Sequence, residues 1–142
     1  MTKTKIPTLK SLLDSHKFDW VNNDITDKLF PPPQSLRTDF KLYHFNRYIS
    51  SEDAVAEMAK DGYAPANVYE LLSWKNWNDK DCVVALGSVG EVGGGRIVPC
   101  LGEGGLRRYL VLYRWSVVWH SRDRFLAVRN LQEAIALTEA EK

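Results

Sequence analysis

YLVLYRWSVVWHSRD, residues 109–123, sets the reading of the whole chain. Its first five residues alternate. Leu110 and Leu112 fall on one face of a strand, and Tyr109, Val111 and Tyr113 on the other. The alternation then breaks into a mixture of aromatic, aliphatic and charged side chains. RFLAVR, residues 124–129, follows directly and reads as a buried closing strand. In it Phe125 and Ala127 share one face, Leu126 and Val128 the other. The stretch between the two strands holds Trp115 and Trp119 among basic and polar neighbours, a composition unlike an ordinary solvated loop. The rest of the chain is expected to be a scaffold that presents it.

Upstream, the pattern is β from residue 82. CVVALGSV (82–89) and RIVPCL (96–101) are short apolar runs, and the proline in the second predicts an edge strand or a bulge. GEVGGG (90–95) and GEGG (102–105) read as hairpin turns. Neither has the lysine and hydroxyl of a phosphate loop, and neither opens a helix. Before them come two helices. Ser50–Ser51 caps the first, with Glu52 and Asp53 in its first turn, Ala54, Val55, Met58 and Ala59 inward, and Gly62 as its stop. Asn67 and Glu70 form a capping-box pattern that opens the second, with Val68, Leu71, Leu72 and Trp74 inward and a polar end at 76–79.

FKLYHFNRYI (40–49) reads as a strand covered on both faces, with His44 half-buried and satisfied. Residues 1–39 are expected to be a helical extension that packs on the core. Thr8 caps a short helix there, Leu9, Leu12 and Leu13 form its stripe, residues 25–30 add one more turn, and Pro31–Pro33 stop it. Residues 130–142 read as a final helix with a stripe at Leu131, Ala134 and Ile135.

The composition sets limits on function. With 142 residues the chain is one domain by length, and it can bury a core without a covalent staple. The net charge of +1 argues against a duplex-DNA binder held by many phosphate contacts. No apolar run is long enough to span a bilayer, and the first residues lack the apolar core of a secretory signal. The expectation is a cytoplasmic protein, with surface display left open. The two cysteines, Cys82 and Cys100, form no Cys–x–x–Cys pair, and His16, His44 and His120 are scattered, so neither a metal site nor a cofactor is predicted. If the cysteine strands pair, the two sulfurs could approach, but two buried thiols are the expected state. No nucleophile elbow or zinc-helix motif occurs. His120, Ser121 and Asp123 are too close in sequence to be expected to form a catalytic relay.

Gly62-Tyr63-x-Pro65-Ala66 leading to Glu70-Leu71-Leu72 resembles the passage from first to second helix in C-type lectin-like domains. VVALGSV at 83–89, VPCL at 98–101, Gly104-Gly105-x-Arg107, Trp115, Trp119 and RFLAVR resemble the variable proteins of diversity-generating retroelements, which have that fold. The resemblance covers residues 40–129. It implies an α+β domain over 40–142, with two helices packed on a small, mostly antiparallel twisted sheet and a variable region at about 105–129. It also implies a non-enzymatic binding protein whose face is diversified by adenine-directed mutagenesis. Tryptophan codons contain no adenine, so Trp115 and Trp119 would be fixed framework, with Leu110 and Leu112 as core. The diversified, ligand-binding positions would be Tyr109, Val111, Tyr113, Arg114, Ser116, Val117, Val118, His120, Ser121, Arg122 and Asp123. Tyr109, Tyr113 and Arg114 would be the main anchors, since rigid aromatics give contact area at low entropic cost.

The expected ligand is a protein, met by a monomer. Two other readings stay open: a C-type lectin-like domain with a fixed protein partner, and a single-stranded nucleic-acid binder that stacks bases on its tyrosines. A calcium-dependent sugar site is disfavoured, because neither Glu-Pro-Asn nor Trp-Asn-Asp occurs. A formylglycine-generating type of enzyme is disfavoured because both cysteines sit in apolar strand contexts.

Overall fold

The computed structural model describes residues 6–102 and 107–130. In chain order the elements are α1 (Leu9–His16), β1 (Trp20–Val21), β2 (Phe40–Tyr43), β3 (Ile49–Ser50), α2 (Ser51–Lys60), β4 (Tyr63–Pro65) and α3 (Val68–Ser73). Then come β5 (Val83–Val84), β6 (Gly90–Val92), β7 (Gly95–Gly102), β8 (Tyr109–Arg114), β9 (Val118–Trp119) and β10 (Arg124–Arg129). The fold is mixed α+β. Eight strands form one mixed sheet in the order β1-β8-β7-β5-β10-β2, with β6 paired to β7 and β4 to β10. β3 and β9 make a separate two-stranded ribbon.

Period-two alternation puts apolar side chains on both faces of the large sheet, and each face has its own core. Leu110, Val83, Leu101, Leu126 and Val128 meet the leucines of α1 and α3 on one side. Val84, Val98, Cys100, Phe125 and Ala127 meet Ala54 and Met58 of α2 on the other. A strand buried on both faces must read as a continuous apolar run, and RFLAVR does. Its four central residues are all buried.

The helices follow from their caps. Thr8 accepts from the Ser11 amide and starts α1. Ser50 accepts from the Asp53 amide and starts α2, and Gly62, at φ +79°, takes the left-handed turn after it. In α3 the capping box between Asn67 and Glu70 is complete. Glu70 is fully buried. Besides the Asn67 amide, its carboxylate accepts from the amide, Nε and Nη2 of Arg37 at 2.8–2.9 Å. A buried carboxylate is tolerated only with such a full set of donors. Here it clamps the connection after the proline run onto the core.

Several elements differ from the sequence expectations. β7 is no edge strand. It pairs with β8 from Ile97 to Gly102, and with β6 and then β5 on its other side. Pro99 is accommodated because it stands between the β6-paired residues (Gly95–Ile97) and the β5-paired residues (Cys100, Leu101), so its missing N–H falls where one short partner gives way to the next. Its carbonyl still accepts from Ala85, 3.0 Å away. The run 82–89 contributes only Val83–Val84 as strand. The strand expected over 40–49 ends at Tyr43, beyond which Asn46 turns the chain with φ +56°. β2 lies at the sheet edge, so Leu42 is exposed rather than covered. α3 stops at Ser73, before the polar residues 76–79. In the first glycine stretch only Gly93 and Gly94 form the turn, both at positive φ as a two-residue hairpin loop requires. The second stretch runs into residues 103–105, outside the described residues, as does nearly all of the helix expected over 130–142.

The N-terminal segment does more than pack on the core. β1 adds a parallel strand to the sheet, with Trp20 opposite Tyr109 and Val21 opposite Leu110. Leu9, Leu12, Ile25 and Phe30 belong to the same cluster as α3.

Candidate binding face

β8 runs from the N-terminal segment to the loop that carries the candidate residues. Its side chains alternate as expected between the two cores, and this separates residues that stand close in sequence. Leu110 is fully buried, and Leu112 packs on the same cluster, half-exposed. Val111 packs against the α2-side cluster and does not face outward. Tyr109 meets Trp20 edge-on, with ring centroids 6.3 Å apart, at the end where β1 joins. Tyr113, four residues and roughly 13 Å along the strand, meets Trp119 edge-on at 5.8 Å. Arg114 falls on the opposite face of the strand from Tyr113, and its guanidinium lies over Gly95, in space that a Cβ would occupy. The three proposed anchors therefore sit in three places.

The loop after β8 is pinned from behind by one hydroxyl. Ser51, fully buried at the start of α2, donates to the Trp115 carbonyl at 2.7 Å and accepts from Trp119 Nε1 at 2.9 Å. Trp119 is 3% exposed and also stacks edge-on with Phe125. Trp115 is half-buried. Its amide donates to the Arg96 carbonyl, its indole N–H to Glu52, and the Arg96 guanidinium lies 5.2 Å from its ring. β9 pairs antiparallel with β3, which places Val118 opposite Ser50 and Trp119 opposite Ile49. The loop is thus stitched to the N-terminus of α2 by backbone and side chain together.

Outward from this floor is a cleft of about 250 Å³ lined by Tyr113, Val117, Val118, Trp119, His120, Arg122, Asp123 and Cys82. At its rim Val118 is 67% exposed and Tyr113 38%. Tyr48, 63% exposed, stands edge-on to His120 with centroids 5.1 Å apart. Ser116 is exposed on the turn behind Val117. Ser121 is half-buried, and its carbonyl accepts from His44 Nε2 at 3.0 Å. That bond satisfies His44, which is exposed rather than half-buried.

His120, Ser121 and Asp123 form a turn and not a relay. Asp123 Oδ2 accepts from the His120 amide at 2.8 Å, and the Asp123 amide returns to the His120 carbonyl. The Arg122 amide donates to His120 Nδ1 at 3.2 Å. The carboxylate is therefore engaged by backbone, and the ring nitrogen a relay would need is occupied as an acceptor. Among the described residues no group of three or more His, Cys, Asp or Glu could hold a metal ion. No helix among them is long and apolar enough to cross a membrane.

Of the expected face, the structure gathers Tyr113, Val117, Val118, His120, Arg122 and Asp123 at one cleft. Tyr109, Val111 and Arg114 lie elsewhere. Tyr48, Ser51 and Cys82 belong to the site and carry no local signal for it in the sequence. Each arrives through a non-local pairing, Tyr48 and Ser51 beside β3, and Cys82 beside β7. No protein-family model, curated protein or solved structure matches the chain.

Proposed function

We propose that this protein is a non-enzymatic binding protein, and that the cleft face around Tyr48, Tyr113, Val118, His120 and Arg122 is where its ligand sits. The observation that carries the proposal is the contrast in exposure across the loop: Trp119 is buried and hydrogen-bonded, while its neighbour Val118 and the nearby Tyr48 are mostly exposed. Large apolar side chains grouped at the surface of a rigid cleft are a common mark of an interaction site. Tyrosines with a nearby arginine suit a protein ligand, since they combine contact area with hydrogen bonding.

We further propose that the scaffold is C-type lectin-like and that the outward positions are diversified, as in the retroelement variable proteins. The tryptophans as pinned framework and the variable-compatible residues Tyr113, Ser116, Val118, His120 and Arg122 between and beside them support this reading. The test is in the DNA that neighbours the gene. The proposal expects a reverse-transcriptase gene and a near-repeat of the segment coding for 109–129 that differs only at adenines. Differences among siblings that ignore adenines and fall equally on the Trp115 and Trp119 codons would overturn it.

A further inference from the structure

Cys82 and Cys100 occupy one spot on two neighbouring strands. β5 and β7 pair with Val83 opposite Leu101 and Val84 opposite Cys100. Extending that register by one residue brings Cys82 opposite Gly102. There an added Cβ would come within 2.9 Å of the Cys82 sulfur, so the glycine leaves the room that this sulfur fills. The two cysteines are diagonal neighbours on one face of the sheet, and their sulfurs are 3.1 Å apart. To bond, they must close by only about 1 Å.

The two thiols differ in access. Cys82 is half-buried and lines the candidate cleft beside His120 and Arg122. Cys100 is fully buried behind it, with its S–H directed at the Leu101 carbonyl at 3.2 Å. A reagent entering the cleft meets Cys82 and cannot reach Cys100. Access to the cleft favours reaction at Cys82, and burial among apolar residues suppresses it at Cys100.

We infer that Cys82 and Cys100 form a reversible thiol–disulfide pair, in which Cys82 reacts with a low-molecular-weight disulfide in the cleft and Cys100 resolves the product into an internal bridge. In the first step the Cys82 thiolate attacks one sulfur of the small disulfide. Its S–S bond breaks, and one small thiol leaves with the proton that Cys82 gave up. In the second step the Cys100 thiolate attacks the Cys82 sulfur of the mixed disulfide. That S–S bond breaks, and the second small thiol leaves with the Cys100 proton. Two protein thiols are oxidised and one small disulfide is reduced to two thiols. The bridge ties the residue before β5 to β7. None of this depends on what the cleft binds.

The test treats the full chain, natively folded by circular dichroism, with glutathione disulfide, then blocks remaining thiols and reads intact mass and peptides. The expected product is lighter than the reduced chain by two hydrogens and joins the peptides holding Cys82 and Cys100. It carries no lasting glutathione and reverts with dithiothreitol. Cys100→Ser should stop at a stable glutathione adduct on Cys82, and Cys100→Ala serves if the serine unsettles the core. Cys82→Ser should stay unmodified while folded. Wild-type protein that accumulates glutathione adducts without the joined peptide overturns the inference. So does a wild-type chain in which both cysteines remain alkylatable after prolonged exposure.

Discussion

The two ends of β8 carry the same residue type and do different things. At one end Tyr109 is set against Trp20, beside a cluster of polar groups that satisfy one another. Arg108 lies between the rings of Phe18 and Trp77, pairs with Asp79 and donates to the His16 carbonyl. His16 donates through Nε2 to the Leu72 carbonyl at 2.6 Å. At the other end Tyr113 stands over Trp119 at the rim of a cleft whose outer side chains meet solvent. The first end closes the N-terminal segment onto the sheet. The second has a fixed floor and an outer rim at which Val118 and Tyr48 are mostly exposed. An aromatic side chain in an alternating strand is therefore no evidence of a binding face until its non-local neighbours are known.

The floor of the cleft should be the costliest part of this comparison to disturb. Trp119→Ala removes a buried indole and its contacts with Phe125 and Tyr113, and should lower the unfolding free energy by about 3–5 kcal/mol in urea titration. Ser51→Ala comes next. It leaves Trp119 Nε1 and the Trp115 carbonyl without their shared hydroxyl, at about 1–3 kcal/mol. A loss below about 0.5 kcal/mol would mean the hydroxyl is not what pins the loop.

Tyr113→Ala should cost about 0.5–1.5 kcal/mol through its edge contact with Trp119, measured by a double-mutant cycle between the two.

The opposite end should respond to acid. Burial holds His16 below its ordinary value of 6.5, with help from Arg108 and Lys75 and against the opposing pull of the Leu72 carbonyl and Asp79. The unfolded chain therefore takes up the proton more readily. The contribution is fully present above about pH 6.5 and is lost as pH falls through the lowered folded value. His16→Gln keeps a donor for Leu72 and removes the titration, so the slope of stability with pH below 6.5 should flatten. An unchanged slope would place the acid sensitivity elsewhere.

Much of the scaffold was legible because it is locally determined. The capping box at Asn67 and Glu70, the cap at Ser50, the Gly62 stop and the bounds of β10 each depend on residues a few positions apart. The alternation of β8 was legible for the same reason, whereas the burial of Trp119 was expected only from the resemblance and is set by distant partners. What escaped is set by pairing across the chain. Nothing near Tyr109 announces that Trp20 will meet it through a parallel strand. Nothing near Ser51 announces that two tryptophans more than sixty residues later will share its hydroxyl. Pro99 misled because a proline argues for an edge only when its neighbour on that side is one continuous strand. Arg114 misled because a single step along a strand reverses the face.

The outermost side chains of the candidate face, Tyr48, Ser116, Val118 and Arg122, should be largely independent of the fold that carries them. The most direct test combines Tyr48→Ser, Ser116→Asn, Val118→Thr and Arg122→Ser in one chain and follows urea unfolding beside Trp119→Ala. Surface changes of this kind cost about 0.5 kcal/mol or less each. Together the four should cost about 2 kcal/mol or less, so the fourfold variant should unfold at a clearly higher urea midpoint than Trp119→Ala. A fourfold variant that loses as much stability as Trp119→Ala would contradict it, because the outer face would then be part of the fold.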